Sequence, residues 1–149
     1  LMWASSLSHN GLTGLGRDYF MSAHQIEHEL SGMFDQVAHG AGLSVLFPAW
    51  CRYIYKYAVD RFCQYAVHVW NLEMDFAHPE NTALAGIQAT EAYFRSLGMP
   101  THLKELGIDP TEAQIEEMAE KATFFGTRTF PDYIPLGKEE IVDIFHLAE

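Results

Sequence analysis

Apolar residues recur along this chain at three- and four-residue spacing and nowhere alternate convincingly with period two, a pattern of amphipathic helices and not of strands. Residues 2–9 read as a short helix that stops at Asn10, where Gly11, Gly14 and Gly16 supply the permissive backbone of a turn. Ser22 followed by Gln25 has the spacing of a capping box, so a helix is expected to start there, carry His24, Ile26, Glu27, His28, Leu30 and Met33, and end between Gly32 and Asp35. From His39 an apolar segment rich in Ala, Leu and aromatics runs to Tyr57 and reads as the buried central helix, kinked at Pro48. Asp60 is expected to cap a helix reaching about Trp70, and Asn81 or Thr82 to open another, stopped by Gly98. A brief turn of helix over 101–106 precedes Asp109-Pro110, a start signal for the segment holding Ile115, Met118, Ala119 and Ala122. Residues 124–136, with two prolines and a glycine, read as loop, and 138–148 as a last amphipathic helix. With no repeat and no low-complexity tract, the pattern predicts one all-helical domain, a helical bundle over residues 1–149.

Composition narrows this picture. A chain of 149 residues with 48% hydrophobic and 19% charged positions has the material for a packed core and is not a disordered tail. The longest apolar run, residues 38–51, is broken by Pro48 and falls short of the roughly 18 uninterrupted residues a membrane helix needs. The start of the chain lacks the basic opening and apolar centre of a signal peptide, so the cytoplasm is the expected compartment. A net charge of −11, most of it beyond Thr101, disfavours nucleic acid as a partner. Cys51 and Cys63 form no CxxC pattern and are expected as buried free thiols. The first 55 residues contain no lysine, yet three of the eight histidines lie between His24 and His39, which suggests a cation site.

His24 and His28, four apart, would share a helix face with about 5–6 Å between Cβ atoms. His39, at the start of the next helix, would return to that face if the two helices pack together. Imidazole suits zinc and iron, and a site with an open coordination position can polarise an alcohol or carbonyl oxygen. An HxxxH pair is also a common feature of ordinary solvated or core-packed helices. The same residues fit the HxxEH pattern of inverted zinc proteases, with His24 and His28 on zinc and Glu27 as base, which would make the protein a hydrolase. That reading needs a further carboxylate ligand and a larger body, and leaves Gly40-Ala41-Gly42 without a role.

Beyond spacing, the stretches Met2-Trp3-Ala4-Ser5-Ser6, Asn10-Gly11-Leu12, Ala23-His24-Gln25-Ile26-Glu27-His28-Glu29-Leu30-Ser31 and Ala38-His39-Gly40-Ala41-Gly42-Leu43 resemble the iron-containing alcohol dehydrogenases, and within them the butanol dehydrogenase branch. The likeness continues through Tyr93-Phe94-Arg95-Ser96-Leu97-Gly98-Met99-Pro100-Thr101, through residues 103–108, and into Glu139-Glu140-Ile141-Val142-Asp143-Ile144-Phe145. It implies the C-terminal helical domain of an iron-containing alcohol dehydrogenase or dehydroquinate synthase-like protein, with the N-terminal nucleotide-binding domain absent from this chain. In that family an upstream Asp and His join the first His of HxxxH and the His of HG on the metal. Carried over, His24 and His39 are metal ligands, and His28 is a catalytic and cofactor-proximal residue that moves a proton or positions substrate.

The spacing from His28 to His39 is one residue longer than the family's, an extra residue expected to be absorbed in the turn. The resemblance further implies reversible hydride transfer between an alcohol or aldehyde and NAD(P)H, a divalent metal (Fe2+, with Zn2+ as the other option), and a homo-oligomeric parent enzyme. This chain alone is then expected to be inactive and to expose an apolar face where the other domain docks. Trp3, Phe20 and Phe130 are candidates for an apolar substrate wall. The alternative of another class is a stand-alone helical module that binds metal weakly or serves as an interaction surface.

Overall fold

The computed structural model of the chain describes residues 1–16 and 19–149. Seven α-helices are present among them: α1 Met2–His9, α2 Ser22–Met33, α3 His39–Ile54, α4 Val59–Trp70, α5 Pro79–Ser96, α6 Glu112–Ala122 and α7 Lys138–His146. Single turns of 3-10 helix occur at Leu12–Gly14, Tyr55–Tyr57 and Leu103–Leu106. No strand occurs among the described residues; one isolated bridge joins Phe130 to Leu136. No helix among them is long and apolar enough to cross a membrane.

The apolar stripes decide how these helices assemble. Helix α3 presents Val45, Leu46, Ala49 and Ile54, all fully buried, and packs against α2, α5 and α7. Ile26 and Leu30 of α2 meet that face, while Ile115 and Met118 of α6 and Ile141, Ile144 and Phe145 of α7 extend the same core. Each such side chain contributes on the order of 1.5–3 kcal/mol of transfer free energy. Helices α4 and α5 approach so closely that a Cβ at Gly86 would lie 2.7 Å from Ala66 Cβ. Helix α3 runs continuously across Pro48, forgoing one backbone bond. Cys51 and Cys63 are buried free thiols, as expected.

Several starts differ from the sequence reading. Ser22 is the first residue of α2 and does not cap it; its hydroxyl donates to Asp132. Asp60 sits inside the first turn of α4, where its charge favours the helix N-terminus without capping it. Helix α5 begins at Pro79, earlier than Asn81, because Asp75 accepts hydrogen bonds from the amides of Ala77 and His78 and from Asn81 Nδ2, and so turns the chain into the helix. Thr111 and Gln114, and not Asp109-Pro110, form the capping box of α6.

Two features frame the site. The segment between α6 and α7 places Asp132 where its carboxylate also accepts from Trp50 Nε1 at 2.9 Å, tying the start of α2 to the middle of α3. Helix α1 has no buried residue and packs mainly on the turn Leu12–Gly14. Leu1, Met2, Trp3, Leu12, Leu15 and Tyr19 are exposed there.

Candidate metal centre

Helix α2 buries Ala23, Ile26, Glu27 and Leu30, which turns His24 and His28 outward, one turn apart. After a five-residue connection α3 begins at His39, so its first side chain lies beside that pair. The ring centroids stand 4.7 Å apart for His24 and His28, 4.5 Å for His24 and His39, and 5.3 Å for His28 and His39. One ligating nitrogen from each ring lies within 4.8 Å of the other two, which makes these residues a group able to hold a metal ion. The short connection between the two helices thus leaves His39 facing the same point as His24 and His28.

Behind the rings, Glu27 is fully buried and its Oε2 is hydrogen-bonded to His39 Nδ1. Its Oε1 is buried with no hydrogen-bond partner among the described residues. Burial pushes the Glu27 carboxyl above the usual carboxylate range, against the hydrogen bond and positive charge that His39 offers when protonated. Burial also lowers the His24 pKa, and the neighbouring His39, His28 and His9 lower it further, because charges of one sign would crowd together. A ring held neutral keeps a lone pair free for a cation, and borderline nitrogen donors suit iron or zinc. The donor set, with a carboxylate behind one imidazole, fits a divalent transition metal.

A pocket of about 240 Å³ opens beside His24, lined by Phe20, Met21, Leu43, Phe47 and Trp50. Of the three aromatics proposed as a substrate wall, only Phe20 lies in it. Trp3 is on exposed α1, and Phe130 is a core residue paired with Leu136. A fourth imidazole stands nearby: the His9 ring lies 5.8 Å from that of His24. His68 and His78 are exposed and apart, and His102 and His146 face Glu105 and Glu112.

An all-helical fold that brings an HxxxH pair and the histidine of an HG turn to one point defines a helical domain built around a candidate metal centre. Residues 2–148 match the family described as "Fe-containing alcohol dehydrogenase family, C-terminal", and the chain belongs to that family. It is 39% identical over 146 residues to NADH-dependent butanol dehydrogenase A of Clostridium acetobutylicum, covering 97% of this chain and 36% of that protein. Among solved structures it resembles NADH-dependent butanol dehydrogenase A of Thermotoga maritima, with a TM-score of 0.86 and 29% identity over 98% of this chain and 37% of the other. It also resembles the substrate- and cofactor-free aldehyde reductase YqhD of Escherichia coli, with a TM-score of 0.88 and 28% identity over 100% and 38% of the two chains. The chain spans little more than a third of the length of these relatives.

Proposed function

We propose that this chain is the metal-holding part of an NAD(P)-linked alcohol dehydrogenase or aldehyde reductase, in which His24 and His39 are metal ligands and His28 serves proton transfer or substrate positioning. The observation that carries this reading is the convergence of His24, His28 and His39 within 4.8 Å in a member of this family. A divalent iron or zinc ion held there would supply Lewis acidity toward an alcohol or carbonyl oxygen. The chain's own residues do the rest. His24 and His39 offer imidazole nitrogen donors from two helices that the core holds together. His28, the exposed member of the three, stands where a proton can pass between the reacting oxygen and water. The apolar pocket beside His24 would take the carbon chain of a small aliphatic alcohol or aldehyde and keep water away from the reacting carbon.

In this reading the remaining ligands and the nicotinamide site come from an N-terminal nucleotide-binding domain, docked on the exposed apolar surface around α1, in a homo-oligomeric cytoplasmic enzyme. The hydrolase reading of HxxEH is less well supported, because Glu27 is sealed behind His39 and does not face the open site. Two assays test the proposal. Co2+ titrated into the chain should bind, with affinity at least about tenfold weaker in His24→Ala and His39→Ala; equal binding in these variants refutes the ligand assignment. Supplying Fe2+ or Zn2+, reduced nicotinamide cofactor and butyraldehyde to the chain alone should give no turnover, and appreciable turnover refutes the view that half the site is missing.

A further inference from the structure

Glu27 has no role in binding or proton transfer as argued so far, yet the packing is arranged around it. Its carboxyl group is entirely out of water, where an ionised group needs compensation, and among the described residues its side-chain hydrogen-bond partner is His39 Nδ1. The other oxygen is unpartnered among the described residues. Space for the side chain comes from Gly42, one turn along α3 from His39: a Cβ there would fall 2.8 Å from Glu27 Cγ and 2.9 Å from Cδ. The Gly42 position therefore admits Glu27 only while it lacks a side chain.

We propose that Glu27 is a positioning residue for the centre: it holds His39 as the Nδ1–H tautomer, aims Nε2 at the site, and raises the donor strength of that nitrogen. This rests on the metal reading above. A carboxylate behind a ligating imidazole does this elsewhere in metalloproteins, and removing it typically costs about 10–100-fold in metal affinity. The arrangement also accounts for the under-compensated carboxylate, since a cation one imidazole away offsets its charge. The Glu of the HxxEH pattern thereby acts through His39 and not as a base on water.

The test has two independent readouts on the chain itself. In 15N NMR of the metal-free protein at mildly alkaline pH, His39 should carry its proton on Nδ1, and Glu27→Leu should move it to Nε2. In Co2+ titrations, Glu27→Leu should weaken binding about 10–100-fold, and Glu27→Gln, which keeps an acceptor oxygen, should weaken it less. A wild-type chain with His39 protonated on Nε2 overturns the proposal, as does a Glu27→Leu chain that binds Co2+ as tightly as wild type. Should Glu27→Leu fail to fold, the wild-type tautomer and the Glu27→Gln affinity still decide. A wild-type chain that takes up no Co2+ defeats the metal reading and the affinity claim together. In that event the tautomer measurement separately decides whether Glu27 holds His39.

Discussion

Two glycines in the first turns of α3 offer a controlled comparison. Gly40 and Gly42 both gain helix propensity on replacement by Ala, up to about 1 kcal/mol each. A Cβ at Gly40 meets nothing within 4 Å, whereas one at Gly42 drives into the buried stem of Glu27. Glu27 cannot swing away into solvent, since it is walled in between α2 and α3 and bonded to His39. Overpacking of this kind costs about 1–3 kcal/mol. With the propensity terms cancelling, Gly42→Ala should lie about 1–3 kcal/mol below Gly40→Ala, and Gly40→Ala at or slightly above wild type. For a chain of this size each kcal/mol moves Tm by about 2–4 °C, so the two variants should differ by about 2–12 °C. Thermal unfolding followed by circular dichroism in the presence of a chelator measures this without any metal contribution. Indistinguishable Tm values for the two variants would refute the claim that Gly42 exists to admit Glu27.

Asp132→Ala removes the acceptor shared by the Ser22 hydroxyl and Trp50 Nε1 and should cost about 1–3 kcal/mol in urea unfolding, with a shifted Trp emission; unchanged stability would mean the clamp between α2 and α3 contributes nothing. The pH dependence has a definite sign. Burial and the neighbouring histidines depress the His24 pKa below its ordinary 6.5, so the unfolded chain takes up the proton first. The His24 contribution is then complete above pH 6.5 and is lost as pH falls through its lower folded midpoint. Replacing His24 by Asn should flatten the acid limb of stability in the metal-free chain, and an NMR titration midpoint of 6.5 or above for His24 would contradict the argument.

Much of this was legible along the chain because helix periodicity and the HxxxH and HG spacings are local. The burial of Ile26 and Leu30 on one face of α2 and the outward turn of His24 and His28 follow from the 3.6-residue repeat alone. Helix starts were less legible where two capping signals competed. Asp109-Pro110 and Thr111-x-x-Gln114 overlap, and the second closes both hydrogen bonds of the capping box. Ser22 has the sequence of a cap, but Asp132, 110 residues away, takes its hydroxyl, a competition no local window contains. The same limit hid the partner of Glu27. Its sequence neighbours fit HxxEH, in which it would be a base; its place behind His39 depends on how α2 meets α3 across Gly42. His9 gave no signal at all, because its approach to His24 depends on where α1 lies.

Helix α1 carries a final consequence. An eight-residue helix with no buried side chain draws almost nothing from tertiary packing, and isolated helices this short have little helical population in water. Its amides should therefore exchange with solvent nearly as fast as those of an unstructured peptide, while the amides of α3 report global opening. Slowed exchange confined to residues 2–9 would thus register whatever seats on this end of the molecule, a readout that needs neither substrate nor metal.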